Sequence, residues 1–187
     1  MRARYKPVAI TTDPCAGAFA RDVLASLAEP QKRISSRWLY DTRGSQLFEQ
    51  ITQLDEYYPT RTETAIFTEH ADDISAAIGP GAVLVEYGAG ALVKTRILLD
   101  ALERPGGYVP IDISGPFLNE AAGQLAKDYP ALSIVPYVAD FTKSVDLSLA
   151  PGTVDKRVGF FPGSTIGNLN DDQIIAFFDA ARASLGP

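Results

Sequence analysis

The chain has 187 residues, 46% of them apolar, with 17 Lys plus Arg against 23 Asp plus Glu and a formal net charge of -6. At about 150 residues per domain this is one domain with enough chain to bury a core, which excludes collagen-like, repetitive and disordered classes. The basic residues are scattered, whereas a nucleic-acid partner selects a concentrated positive face, so no nucleic acid is expected. One cysteine, Cys15, and one histidine, His70, leave no intramolecular disulfide, no Cys-based metal cluster and little room for Ser/His or Cys/His catalysis. The first six residues are basic but lead into no apolar signal core, and no run of about 18 apolar residues occurs, so the chain reads as a soluble cytoplasmic protein without a membrane partner.

In chain order, Phe19, Val23, Leu24 and Leu27 mark a short amphipathic helix that stops before Pro30. A further turn or two of helix runs from Ser45 through Leu47, Phe48 and Ile51. Thr60, Arg61, Thr62 and Glu63 form a capping-box pattern, followed by Ile66, Phe67, His70, Ile74, Ala77 and Ile78 at helical steps up to Gly79 and Pro80. The loop before that helix holds Tyr57 and Tyr58, which cannot both face a helix-packed core. Residues 1–79 therefore read as a helical segment, and residues 80–187 change to short apolar runs alternating with helices, the pattern of a parallel sheet.

Residues 82–87 form a buried strand ending in Gly88, Ala89 and Gly90, and a helix follows with Ile97, Leu98, Ala101 and Leu102 on one side. The second strand, residues 108–113, is short or poorly paired at Pro110. Ser114 and Pro116 open a helix with the stripe Leu118, Ala121, Ala122 and Leu125. Strand three spans residues 132–139 and strand four residues 157–161, and a last helix after Asn170 turns Ile174, Phe177, Phe178, Ala181 and Leu185 inward.

Three strand ends carry chemistry: Glu86 with the glycine turn, Asp112, and Asp140. In an open parallel sheet ligands sit outside the carboxyl ends of the strands, so these groups share one crevice. The glycines admit close backbone approach, and Asp112, 24 residues beyond Gly88, is placed to accept from two ribose hydroxyls, with Asp140 toward an adenine amino group. Val93 stands where a dinucleotide fingerprint needs its third glycine, and no phosphate loop is present. A cofactor without phosphates fits this pattern, and S-adenosylmethionine suits it; the other reading is a structural set of turn glycines and capping acids.

Longer strings are more specific. Arg37 to Asp41 (RWLYD), Gly44 to Thr52 (GSQLFEQIT), Glu56 to Glu63 (EYYPTRTE), Glu86 to Gly90 (EYGAG) with Lys94, Thr95 and Arg96, and Phe161 to Asn168 (FPGSTIGN) resemble the histidine-specific methyltransferase family of ergothioneine biosynthesis. The resemblance implies a Rossmann-like class I methyltransferase fold, an α/β sheet of parallel strands with flanking helices, incomplete here and preceded by an N-terminal helical segment. It implies that residues 1–79 are a cap with a substrate-side loop, and residues 80–187 the N-terminal half of the cofactor-binding domain. It further implies cofactor contacts from Tyr40, Gly88, Lys94, Asp112, Asp140 and Phe141, with Gly163 on the cofactor side, and substrate contacts from Tyr57 and Asn168. The expected activity is methyl transfer from S-adenosylmethionine to the α-amine of L-histidine without a metal. Other readings are a cofactor-binding or oligomerisation module without turnover, and a methyltransferase for another small amine or amino acid.

Relatives in that family continue beyond Pro187, and strand four would lie at the sheet edge. The expectation is either a shortened chain or a homodimer joined partly through that edge. His70 reads as a partly buried helix histidine, Trp38 as packing, and Cys15 has no assigned role. Tyr57 and Tyr58 read equally as an aromatic clasp, Asn168 as a cap or turn residue, and Lys94 as a solvated side chain mildly misplaced near a helix N-terminus.

Overall fold

A computed structural model of the chain describes residues 15–90, 92–151 and 156–186. The basic residues 1–6 and Pro187 lie outside them. Helices α1 (Cys15–Ala28), α2 (Thr42–Thr52) and α3 (Tyr58–Ile78) come first; then β1 (Val83–Tyr87), α4 (Val93–Ala101), β2 (Gly107–Asp112), α5 (Gly115–Asp128), β3 (Tyr137–Val138), β4 (Arg157–Phe160) and α6 (Asp171–Leu185). Two short 3-10 turns, Ser36–Leu39 and Thr165–Asn168, border the later site.

The sheet runs β3-β2-β1-β4, all neighbours parallel. β1 is central and buried along its whole length, which its Val-Leu-Val run requires. Alternation along the strands makes two cores. Val83, Val85, Tyr87, Val109 and Ile111 pack against Phe177 and Ala181 of α6, while Leu84 and Tyr108 join Leu98, Leu118 and Leu125 on the opposite face. Glu86 follows Leu84 by two positions and so enters the second core as a carboxylate.

Pro110 behaves as a one-sided defect. Tyr108 and Asp112 make their backbone bonds toward the third strand, through Ser133, Val135 and Ala139. Pro110 shares that orientation and has no N–H to give, and the pairing there breaks between the Tyr108–Ile134 bridge and Tyr137. Its other side keeps the full register with β1, from Val83–Gly107 to Tyr87–Ile111. The expected eight-residue third strand is thus reduced to the pair Tyr137–Val138 plus an isolated bridge.

Three further expectations are corrected. Thr60 to Glu63 do not cap α3, which starts earlier at Tyr58 with Pro59 in its first turn. Phe178 is 56% exposed although its neighbour Phe177 is 2% exposed, because adjacent helix positions point about 100° apart. His70 is a surface residue 3.6 Å from Asp73 rather than a partly buried one. Trp38 packs as expected, edge to face with Phe19 at 5.2 Å. β4 lies at the edge of the sheet, paired to β1 alone among the described residues. None of the described helices is long and apolar enough to cross a membrane.

Candidate active site

The strand ends open into a cleft of about 1040 Å³, closed on its far side by α2, α3 and the segment before them. All nine residues singled out in the sequence line it: Tyr40, Tyr57, Gly88, Lys94, Asp112, Asp140, Phe141, Gly163 and Asn168.

The glycine turn is built for backbone exposure. Gly88 has φ +72°, and a Cβ there would stand 3.6 Å from the Phe141 ring in a conformation L side chains avoid. The Gly88 and Ala89 amides donate to the Ile111 carbonyl at 2.9 and 3.2 Å, which pins the turn to β2. Asp112 then bridges two elements: Oδ2 accepts from Gly90 N at 3.2 Å and Oδ1 from Ser114 N at 2.9 Å. Burial pushes its carboxyl above the ordinary value, against the pull of the Ser114, Gly90 and Ile113 amides. With three amides against about four acceptor positions, one position stays open to a ligand hydroxyl.

Beneath the turn, Glu86 is 2% exposed and satisfied from inside the protein. Thr95 Oγ1 and the Tyr108 hydroxyl both donate to its Oε2 at 2.5 Å. Burial raises its pKa to about 7, with the Thr95 and Tyr108 bonds and the Lys94 charge opposing that rise.

Asp140 sits at the third strand end with Oδ1 bound by Thr142 N at 3.1 Å and Thr142 Oγ1 at 2.5 Å. Burial would raise this carboxyl, but the Thr142 bonds and the Arg37 guanidinium outweigh it and hold the group below the ordinary range. Phe141, next in sequence, forms the apolar floor with Phe161 and Phe177 at 5.2 and 5.8 Å between ring centroids.

The opposite wall is aromatic. Tyr40, Phe48 and Tyr57 form an edge-to-face series at 6.2 and 5.9 Å. Tyr40 is hydrogen-bonded to the Asn168 side chain; burial raises its pKa, that bond opposes the rise, and the Tyr57 and Asp112 charges add to it. Tyr57, the N-cap of α3, lines the cleft, while Tyr58 is the first residue of that helix rather than a loop residue and is 66% exposed.

Lys94 is not a free cation. Its Nζ lies 2.6 Å from Glu63 Oε2, and Glu63 Oε1 accepts from Gly163 N at 2.7 Å. Gly163 has φ +84°, and a Cβ there would stand 3.2 Å from Lys94 Nζ. Glu63, Arg37, Thr95 and Tyr108 were not recognised in the sequence as site residues. Glu63 was read as half of a cap, and its partner is 100 residues away; Arg37 meets Asp140 across 103 residues, a separation no local pattern reports.

The residues fit S-adenosylmethionine on chemical grounds. A Gly-Ala-Gly turn that exposes its backbone, and the strand-end acids Asp112 and Asp140 with acceptor positions still open toward the cleft, supply the polar atoms an adenosine needs without a phosphate cradle.

The chain is 39% identical over 181 residues to the histidine N-alpha-methyltransferase of Mycolicibacterium smegmatis, covering 95% of this chain and 55% of that protein. It is 36% identical to the enzyme of the same name from Mycobacterium tuberculosis, covering 91% and 53%. The chain thus spans about half the length of these two curated relatives. A crystal structure of the small RNA methyltransferase HEN1 superposes with a TM-score of 0.51 at 19% identity, over 68% of this chain and 15% of that one, and supports the Rossmann-like fold. The profile of the SAM-dependent, histidine-specific methyltransferases matches residues 19–187, and the chain belongs to that family.

Proposed function

We propose that the protein transfers methyl groups from S-adenosylmethionine to the α-amine of L-histidine, with residues 80–187 holding the cofactor and residues 1–79 forming the substrate-side cap. The observation that carries this reading is the meeting, in one cleft, of three strand-end acids and Asn168, which follows β4, with Tyr40 and Tyr57 from the helical wall. When bound, S-adenosylmethionine supplies a sulfonium methyl group open to in-line attack by an amine.

The chain's own residues have to orient and exclude rather than activate strongly. Asp112 accepts a ribose hydroxyl, Gly88 lets the backbone come close, and Phe141 provides an apolar contact for the base beside Asp140. Lys94, steered by Glu63, offers a cation to the cofactor's carboxylate, and Gly163 keeps that approach open. The Asn168 carbonyl oxygen and the Tyr57 hydroxyl accept N–H bonds from a neutral amine, fixing its lone pair without a strong base. Alignment of this kind is where effective molarity is gained.

Titration calorimetry tests the reading. S-adenosylhomocysteine should bind, histidine should bind more tightly in its presence, and mass spectrometry should find methylated histidine as the product with S-adenosylmethionine. Cofactor binding with no histidine binding or turnover would leave a binding module, and turnover only with another amine would replace histidine as the substrate. Among the described residues β4 pairs with β1 alone, and that open side supports a further part of the proposal, a homodimer pairing through it. A monomer by light scattering at high concentration would remove it.

A further inference from the structure

Asp140 is tied to a part of the molecule far from its own loop. Arg37 Nη1 donates to Asp140 Oδ2 at 3.1 Å, and Arg37 Nη2 lies 3.3 Å from Asp22 Oδ1 on α1. Trp38 Nε1 donates to the other oxygen of Asp22 at 2.6 Å. The guanidinium carbon of Arg37 stands 4.5 Å from the Trp38 ring centroid, a cation–π contact, and Phe19 of α1 meets the same ring edge to face. The guanidinium is therefore held between two carboxylates and an aromatic ring, a setting that suits its planar fork and not a lysine.

An ion pair at a cleft mouth adds little to global stability, so its main effect is on where the carboxylate points. Oδ1 of Asp140 already takes two donors from Thr142, and Oδ2 takes one from Arg37. A carboxylate has about four acceptor positions, which leaves one on Oδ2, since the exposed Lys143 Nζ, 3.9 Å from that oxygen, is an ion-pair partner beyond hydrogen-bond distance. Both Arg37 and Asp140 line the cleft.

We propose that Arg37 is a positioning residue for base recognition: with Thr142 it turns the Asp140 carboxylate so that the remaining Oδ2 lone pair accepts an N–H from the exocyclic amine of the cofactor's adenine. Asp22 and Trp38 hold Arg37 in turn, so α1 contributes to base selectivity without touching the base. The proposal rests on the reading of the cleft as an S-adenosylmethionine site. A base carrying a carbonyl at that position presents an acceptor to a carboxylate and is disfavoured, and a site built around one donor rejects the analogue lacking it.

The test compares S-adenosylhomocysteine with S-inosylhomocysteine by titration calorimetry, with circular dichroism melting to establish folding. The unaltered protein prefers the adenosyl compound. Asp140→Asn abolishes most of that preference, since an amide can also donate to the inosyl carbonyl. Arg37→Gln weakens adenosyl binding by about tenfold and changes inosyl binding by less than about twofold. Arg37→Lys, which keeps the charge and loses the fork, lies between. Asp22→Asn leaves Arg37 in place but unanchored and weakens adenosyl binding alone by about threefold; it carries the test if Arg37→Gln does not fold. Loss of preference in Asp140→Asn but not in the Arg37 and Asp22 variants, or an equal loss for both compounds in those variants, overturns the positioning role. Preference retained in Asp140→Asn overturns the assignment of Asp140 to the base, and the positioning role falls with it.

Discussion

The two walls of the cleft are made in opposite ways. The sheet wall is a packed core: Val83, Val85, Tyr108, Val109 and Ile111 are all 0% exposed, and even its acid, Glu86, is bonded from within. The helical wall has almost none. α3 and the turn Ser36–Leu39 bury no residue fully, α2 buries only Ser45, and Leu24, Leu39 and Tyr58 are 66% exposed or more. This wall is joined to the sheet side partly by apolar contacts of α3, Ile74 and Ile78 against the core and Phe67 edge to face with Phe160 at 5.3 Å, and at the cleft itself by polar ties, Glu63 to Lys94 and Gly163, Arg37 to Asp140, with Ser75 to the Ala101 carbonyl behind them. Full apolar burial fixes one wall as a platform, while the other rests on half-buried contacts and has its cleft-facing end set by a few directional bonds.

The largest expected effect tests the platform. Phe177 is 2% exposed and contacts the rings of Tyr87, Phe141 and Phe161. Phe177→Ala is expected to cost about 3–5 kcal/mol in urea denaturation. A loss below about 1 kcal/mol would mean that the sheet wall is not where the stability resides.

Glu86 sharpens the same contrast through pH. Its folded pKa of about 7 lies above the ordinary 4.5, so the native state binds this proton more tightly than the unfolded chain does. The contribution is fully favourable below about pH 4.5 and is lost as pH rises toward about 7, by about 3 kcal/mol. Asp140 has the opposite sign, because its lowered value gives stability that is lost only on stronger acidification. Glu86→Gln should therefore remove a decline in melting temperature between about pH 5 and 7.5 while leaving the acid limb in place. A parallel pH profile in the variant would show that Glu86 is ionised throughout.

The same division explains what could be read from the sequence. The platform was legible because burial is periodic: β1 as a Val-Leu-Val run, the stripe of α5 and that of α6 apart from Phe178 followed from local spacing, while the edge position of β4 came from the strand order of the resembled family. β3 was not, because Leu132 and Ile134 are buried there without a continuous ladder, a break imposed by Pro110 from the neighbouring strand. In the site, the glycines and strand-end acids were visible, being placed by the fold's own logic, and Tyr40, Tyr57 and Asn168 came through family resemblance alone. Arg37 and Glu63 were missed because a tie between walls is a long-range pairing with no periodic trace.

Two ligand-binding variants on the sheet side separate the cofactor end of the cleft from the substrate end. Asp112→Ala is expected to weaken S-adenosylhomocysteine binding by about 1–3 kcal/mol in calorimetry, since it removes the bridge between Gly90 and Ser114 along with the ribose acceptor. An unchanged affinity would take Asp112 out of the cofactor site. Asn168→Ala is expected to weaken histidine binding by about 1 kcal/mol with cofactor affinity nearly intact. Equal losses for both ligands would assign Asn168 a structural part instead, through its bond to Tyr40.

The smallest effect probes the ties themselves. Glu63→Gln keeps an amide oxygen able to accept from Gly163 N but removes the charge facing Lys94. The pair is partly solvated, with side chains 26% and 19% exposed, so the global cost should stay under about 1 kcal/mol. Local opening is a separate quantity from global unfolding, and α3 has no fully buried side chain to resist it. Hydrogen exchange should therefore quicken in the first turns of α3 and in the segment around Gly163 while β1 and β2 exchange as before. If the strands quicken equally, the walls unfold as one unit and the helical wall is held by packing after all; if neither changes, the Glu63–Lys94 pair is not what positions it.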